Sequence, residues 1–290
     1  MAFLSYLISG LGLGSVYAII ALGYSMVYGI AKMLNFAHGD IIMVGAFVAY
    51  FAISSFKLPV FVAILLSIAA CTVLGVVIER LAYKPLREAS SLSVLITAIG
   101  VSYFLQNGAM LLWGTDTKIF PTIMSGSLNM GGLSISYLTL ITIATCVVIM
   151  IGLTMFINKT KTGRAMRACS EDKGAAALMG INVNKIISIT FAIGSGLAAV
   201  AAILLCATYP SVYPTLGSMP GIRAFTAAVF GGIGSIPGAF LGGLLLGVIE
   251  ILSKAYISAQ LSDAIVFGVL IIVLLIKPTG LLGKKISEKV

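Results

Sequence analysis

The chain has 290 residues, of which 60% are hydrophobic and only 9% charged, and its mean hydropathy is +1.13. Soluble domains carry about 25% charged residues, so water is not the main solvent here and a polytopic membrane protein is the class that remains. The net charge of +9 invites a nucleic-acid reading, but the basic residues collect in short loops between apolar runs, which is the positive-inside pattern of membrane proteins.

A helix needs about 20 apolar residues to cross the hydrocarbon core. Runs near that length lie at about 4–29, 59–82, 91–113, 136–157, 186–208 and 236–253, with shorter ones at about 40–54 and 262–277. The expected fold is all-α: about eight transmembrane helices plus one half-length helix, in a single domain over 1–290. The first run lacks a charged leader and is too long for the apolar region of a signal peptide, so it reads as the first span. Its closely spaced glycines, Gly10 to Gly14, suit close helix packing in lipid.

An irregular stretch, Tyr28 to Asp40, follows, and its residues Asn35, His38 and Asp40 form the most polar cluster near the membrane. Two readings stand. In the favoured one this is a polar turn: Asn35 or Asp40 caps the second span and His38 bonds backbone carbonyls. In the other it lines a pathway or carries chemistry. Asp40 is two residues from His38 and so on another helix face, and the ligand set is too small for a metal. Further on, Gln106 and Asn107 lie in the 91–113 run, either bonding neighbouring helices or lining a route. The stretch between Gly114 and Gly132, with Asp116, Lys118 and Pro121, is an outer loop placed to meet an external partner.

The longest polar interruption is Asn158 to Lys185, which carries Lys159, Lys161, Arg164, Arg167, Lys173 and Lys185. Inside it the pattern predicts one short helix. Ser170 is its N-cap. Glu171 and Asp172 complement its dipole. Gly174, Ala175, Ala176, Ala177, Leu178 and Met179 carry it, and Gly180 ends it in the left-handed conformation. A small, Ala-faced helix on the wet side is a candidate docking knob.

Placing the three basic loops and Lys32 in the cytoplasm leaves only Lys57, Lys118, Arg223 and Lys254 of the 18 Lys/Arg outside. The N-terminus then lies outside and the C-terminus inside. Parity requires the chain from Gly221 to Ile251 to enter the membrane and leave again. A half-length helix, a turn through Gly231, Gly232, Gly234 and Pro237, and a full helix satisfy this. Such a break survives only against protein or a water cavity. Paired breaks, here and at Tyr28–Asp40, point to a transport site between faint repeats. Arg223 opens the half-helix, either attracting a substrate carboxylate or reaching headgroups. Glu250 has Lys254 four residues on, the spacing of a helical ion pair.

With one His and nine acids the sequence offers little to catalysis. It has no phosphate-binding loop, no Ser/His/Asp arrangement, no paired carboxylates and no metalloprotease motif. Neither cofactor nor metal is expected. The four cysteines, Cys71, Cys146, Cys169 and Cys206, have no ligand or redox spacing and read as small hydrophobes. An intramembrane enzyme using His38 and Asp40, and a stand-alone secondary transporter coupled through Glu250 or Asp40, remain as other classes.

Three motifs carry a resemblance that covers essentially the whole chain. Ser170 to Lys185 resembles the cytoplasmic coupling loop of ATP-binding-cassette importer permeases. Asn35 to Asp40 and Phe230 to Gly243 resemble the branched-chain amino acid permease family, in its shorter subunit. The resemblance implies a type II importer-like permease in a bacterial cytoplasmic membrane, moving leucine, isoleucine or valine. It implies a second permease subunit, two cytoplasmic ATPases and an extracytoplasmic binding protein as partners, and it makes Ser170 to Ile181 the helix that sits in an ATPase groove.

Overall fold

A computed structural model describes residues 2–87, 89–130 and 133–283. Helix α1 spans Ala2–Ala31, α2 His38–Ser54 and α3 Val60–Ile78. A π turn at Glu79–Tyr83 and a 3-10 turn at Lys84–Leu86 prolong α3. Then come α4 (Ser91–Trp113), α5 (Tyr137–Lys159), α6 (Lys161–Glu171), α7 (Lys173–Leu178), α8 (Val183–Thr208), α9 (Ser218–Gly231), α10 (Ile236–Tyr256) and α11 (Ser262–Ile276). Six of these helices are long and apolar enough to cross a membrane, and α2 and α11 are shorter apolar helices. The boundaries match the apolar runs closely because glycine, proline or charge interrupts each run.

The centre of the bundle is α1, buried almost continuously from Gly12 to Ala31. It packs along α10 by backbone approach. A side chain at Gly14 would stand 2.7 Å from the Leu244 carbonyl oxygen, and one at Gly247 would overlap Gly14 itself. Gly10, Gly14 and Ala18 face Gly243 and Gly247 in the small-xxx-small spacing that lets helices approach closely in lipid. Helices α2, α3 and α8 close the other side: the Ser67 hydroxyl donates to the Gly45 carbonyl at 2.8 Å, and Gly75 lies against Ser195.

The half-length helix and its turn are present. α9 has 14 residues and ends at Gly231. Gly232 and Gly234 have φ of +109° and +91°, conformations that side chains resist. Ser235 caps α10 by accepting from the Gly238 amide at 3.2 Å, and Pro237 occupies its first turn. Protein covers one side of the turn, as a membrane break requires. Leu281 and Leu282 amides donate to the Phe230 and Gly231 carbonyls at 2.9 and 2.8 Å. The Ser25 hydroxyl of α1 accepts from the Gly234 amide at 2.9 Å. Gly231 and Gly232 are buried, while Gly234 and Pro237 are exposed.

Between Gly114 and Gly132 the chain is more than a loop. Strand β1 (Lys118–Ile119) pairs antiparallel with β4 (Ser211–Val212), and β2 (Ser127–Met130) with β3 (Leu133–Ser136). Both ladders are too short to stand out from the sequence as alternating runs.

Candidate functional site

The basic segment folds differently from the single helix expected. Two helices meet at a corner. Thr160 caps α6 by accepting from the Gly163 amide at 2.9 Å. Gly163 lies so close to Ile157 that any side chain there would collide with the α5 backbone. This turns α6 back against the bundle, where Met166 and Cys169 are buried. Burial raises the Cys169 thiol pKa, and the neighbouring Lys173 opposes that shift.

Ser170 is not the cap. It sits inside α6, and its hydroxyl donates to the Arg167 carbonyl at 2.7 Å. Glu171 likewise ends α6 rather than opening the next helix. The break falls at Asp172, whose extended backbone separates the two helices. Its carboxylate accepts from the Ala175 amide at 2.9 Å and caps α7. Gly180, with φ +81°, ends α7 as expected. The Gly180 amide donates to the Ala177 carbonyl and the Ile181 amide to the Ala176 carbonyl, both at 3.0 Å. That is the Schellman pair of bonds. Ala176 faces inward, Gly174, Ala175 and Ala177 face outward, and Leu178 and Met179 project at 91% and 82% exposure. Two bare apolar side chains thus stand on the tip of a polar segment.

Lys173 ties this helix pair to the bundle. Its ammonium donates to the Ala31 carbonyl at 2.7 Å, at the C-terminus of α1. Burial, with Arg87 and Lys32 nearby, holds the Lys173 pKa below the usual lysine range. So Lys32, Arg87 and Lys173, from three separate segments, gather at one end of the molecule. Arg87 pairs there with the buried Glu79, which also accepts from the Ser188 hydroxyl at 2.6 Å.

The polar cluster before α2 is split by the fold. The N-cap position is Ala37, and no side chain caps the helix. Asn35 does not cap it because its side-chain oxygen accepts from the Tyr83 hydroxyl at 2.9 Å. Asp40 does not cap it because it lies within the first turn and is held by α4: Gln106 Nε2 donates to its carboxylate at 2.9 Å. The hydroxyls of Ser102 and Ser218 lie 3.3 Å from the same nitrogen. His38 turns the other way, edge-on to Tyr24 with ring centroids 4.6 Å apart, and its Nε2 has no hydrogen-bond partner. His38 therefore faces α1 while Asp40 faces α4. Asn107 departs from expectation: it is exposed and donates to its own helix, at the Tyr103 carbonyl, 2.8 Å away.

Arg223 reaches neither headgroups nor open space. It donates to Glu250 at 3.0 Å, to Asp263 at 2.6 Å and to the Tyr17 hydroxyl at 3.0 Å. Lys254 pairs with Glu250 at 2.5 Å, as the spacing predicted. Among the described residues, no group of three His, Cys, Asp or Glu side chains is arranged to hold a metal. Tyr17, Glu79, Tyr83, Lys173 and Asp263 complete these sites, and each joins through a contact distant in sequence.

A buried broken helix between apolar spans, with an apolar-tipped helix at one basic end, defines a multi-pass membrane protein of the transporter type. A family model described as "Branched-chain amino acid transport system / permease component" matches residues 6–274, and the chain belongs to that family. It is 48% identical to the high-affinity branched-chain amino acid transport system permease protein BraD of Pseudomonas aeruginosa, over 99% of this chain and 98% of that protein. It is 44% identical to the permease protein LivH of the same kind of system in Escherichia coli, over the same shares. A ribose import permease of Haemophilus influenzae is 28% identical over 81% of this chain and 73% of its own. Among solved structures, PsaBC from Streptococcus pneumoniae in complex with Fab shares the fold with a TM-score of 0.50 at 14% identity, covering 94% of this chain and 92% of that one.

Proposed function

We propose that this chain is the transmembrane permease subunit of an ATP-binding-cassette importer for branched-chain amino acids. It forms the passage with a second permease, binds two cytoplasmic ATPases through the outward face and tip of α7, and takes leucine, isoleucine or valine from an extracytoplasmic binding protein. Eight helices cross the membrane and α9 enters halfway, with the N-terminus outside and the C-terminus inside. The near full-length similarity to permeases named for branched-chain amino acids supports the cargo. The gathering of Lys32, Arg87 and Lys173 at one end supports the orientation.

The observation that carries the partnership is the tip of α7. Leu178 and Met179 stand bare beyond a helix capped at both ends by Asp172 and Gly180. A rigid helix with an apolar tip and small outward residues, Gly174, Ala175 and Ala177, fits a groove on another protein. The passage runs along α4 and α9, where Ser102, Gln106 and Ser218 are half-buried polar groups that hydrocarbon would solvate poorly. Asn107 and Arg223 flank it. The broken backbone at Gly231, Gly232, Gly234 and Pro237, and the stretch from Asn35 through His38 to Asp40, both lie toward the C-terminal half of α1.

The test is reconstitution in liposomes with the second permease, the ATPases and the binding protein. Leucine uptake should require ATP and all partners. Leu178→Asp combined with Met179→Asp should abolish ATPase binding and uptake together. Uptake by this chain alone, driven by an ion gradient, would sink the reading. A similarity to a ribose import permease keeps a second cargo in view. Competition of leucine uptake by ribose, by other amino acids and by small amides decides between them.

A further inference from the structure

The Lys173 ammonium ties α7 to the end of α1. Helix α7 has six residues and buries one side chain, Ala176. Apolar packing alone therefore gives it little hold on the bundle. Its firm attachment is polar: the Lys173 ammonium on the Ala31 carbonyl at 2.7 Å. That carbonyl is among the last four of α1, which have no partner inside the helix and carry the negative end of its dipole. α1 ends there because Lys32 adopts φ +58°. A charge-assisted bond to a helix end is among the stronger single contacts available.

What α1 touches next gives the contact its meaning. Near the same end, its Gly29 packs against Gly234 and its Ser25 hydroxyl accepts from the Gly234 amide and donates to the Ser235 carbonyl at 3.3 Å. The α9–α10 turn is thus fastened to the same helix that Lys173 grips. Far along α1, Tyr17 donates to Glu250 at 2.9 Å and accepts from Arg223 of α9. A displacement of α7 pulls on α1, and α1 holds the half-helix at both its ends.

We infer that Lys173 is a positioning residue that transmits the movement of α7 to α1, and through it to the broken helix. This rests on the importer reading above. Lys173 acts through its bond to the Ala31 carbonyl. Its work is to keep the docking helix and the core helix moving as one body.

The experiment uses the full importer in liposomes and compares wild type, Lys173→Met, Lys173→Gln and Lys173→Arg. Four quantities are read: ATPase binding, basal hydrolysis, melting temperature and leucine moved per ATP. Lys173→Met should bind the ATPases and hydrolyse ATP as wild type does. Its leucine per ATP should fall at least about tenfold, the size expected from losing one charge-assisted bond. Lys173→Arg, which keeps a charged donor, should restore most of the ratio. An unchanged ratio in Lys173→Met overturns the proposal. So does loss of ATPase binding or of folding in both Met and Gln variants, because Lys173 would then be a docking or folding residue. Absence of ATP-driven uptake in wild type would instead overturn the importer reading itself.

Discussion

Arg223 donates to the Glu250 carboxylate at 3.0 Å, joining the half-length helix α9 to α10 inside the bundle. Glu250 is fully buried and also accepts from Tyr17 and Lys254. A carboxylate in that position is stable only because three donors surround it. Removing Arg223 leaves it with two. Removing Glu250 leaves Arg223 with Asp263 alone among carboxylates.

Breaking a buried pair by deleting one partner costs about 3–5 kcal/mol. Glu250→Ala and Arg223→Ala should therefore each lower the melting temperature in detergent strongly. Lys254→Ala should do much less, because the Lys254 side chain is 35% exposed and water screens its share. Equal effects from Lys254→Ala and Arg223→Ala would show that the pairing at the exposed side carries the cluster.

Gln106 decides the second case. Its amide donates to the buried Asp40 carboxylate from α4. Gln106→Leu strands that carboxylate, and a hydrogen bond to a charged group is worth about 1.5–3 kcal/mol. Asp40→Asn in the same background removes the stranded charge and should recover much of the loss. Melting temperatures of the two single variants and the double variant measure the coupling. Strict additivity would mean that Gln106 and Asp40 do not act as a pair.

Helix α7 separates two caps that look alike on paper. Asp172→Ala should loosen α7 by about 1 kcal/mol, the usual worth of an N-cap. Ser170→Ala should change nothing, since Ser170 bonds only to the carbonyl of its own helix. Limited proteolysis of the 158–185 segment reads the difference directly. Faster cleavage in Ser170→Ala than in Asp172→Ala would reverse the assignment.

These cases also mark what the sequence discloses. The spans were legible because lipid demands uninterrupted apolar runs, and Gly231 to Pro237 announced the break by composition alone. Glu250 and Lys254 were legible because the helix itself brings residues four apart together. Arg223 and Tyr17 were not, since 27 and 233 positions separate them from Glu250. The α6 helix was missed for a different reason. Its residues from Lys161 to Glu171 are mostly polar and bury only Gly163, Met166 and Cys169, too few to stand out as a period. Ser170 and Asp172 are both good caps in isolation. The choice between them depends on α6, which runs through Ser170 to Glu171.

Gly14 and Gly247 supply the most severe test of the bundle. A side chain at Gly14 would meet the Leu244 backbone, its carbonyl oxygen 2.7 Å away and its Cα 2.8 Å away. Backbone atoms cannot turn aside as a flexible side chain would, so α1 and α10 must separate to admit any substituent. Forced overpacking of this kind costs about 1–3 kcal/mol, and more where backbone must move. Gly14→Ala should therefore destabilise already, and Gly14→Val further, with the order read from melting temperature. Gly100 and Gly108 of α4 have nothing within 4 Å of an added side chain. Gly108→Ala should instead stabilise slightly, by about 0.5–1 kcal/mol, because alanine is the better helix former. The two glycine classes should thus respond with opposite sign. A Gly14→Ala variant as stable as Gly108→Ala would mean that α1 and α10 are not in backbone contact.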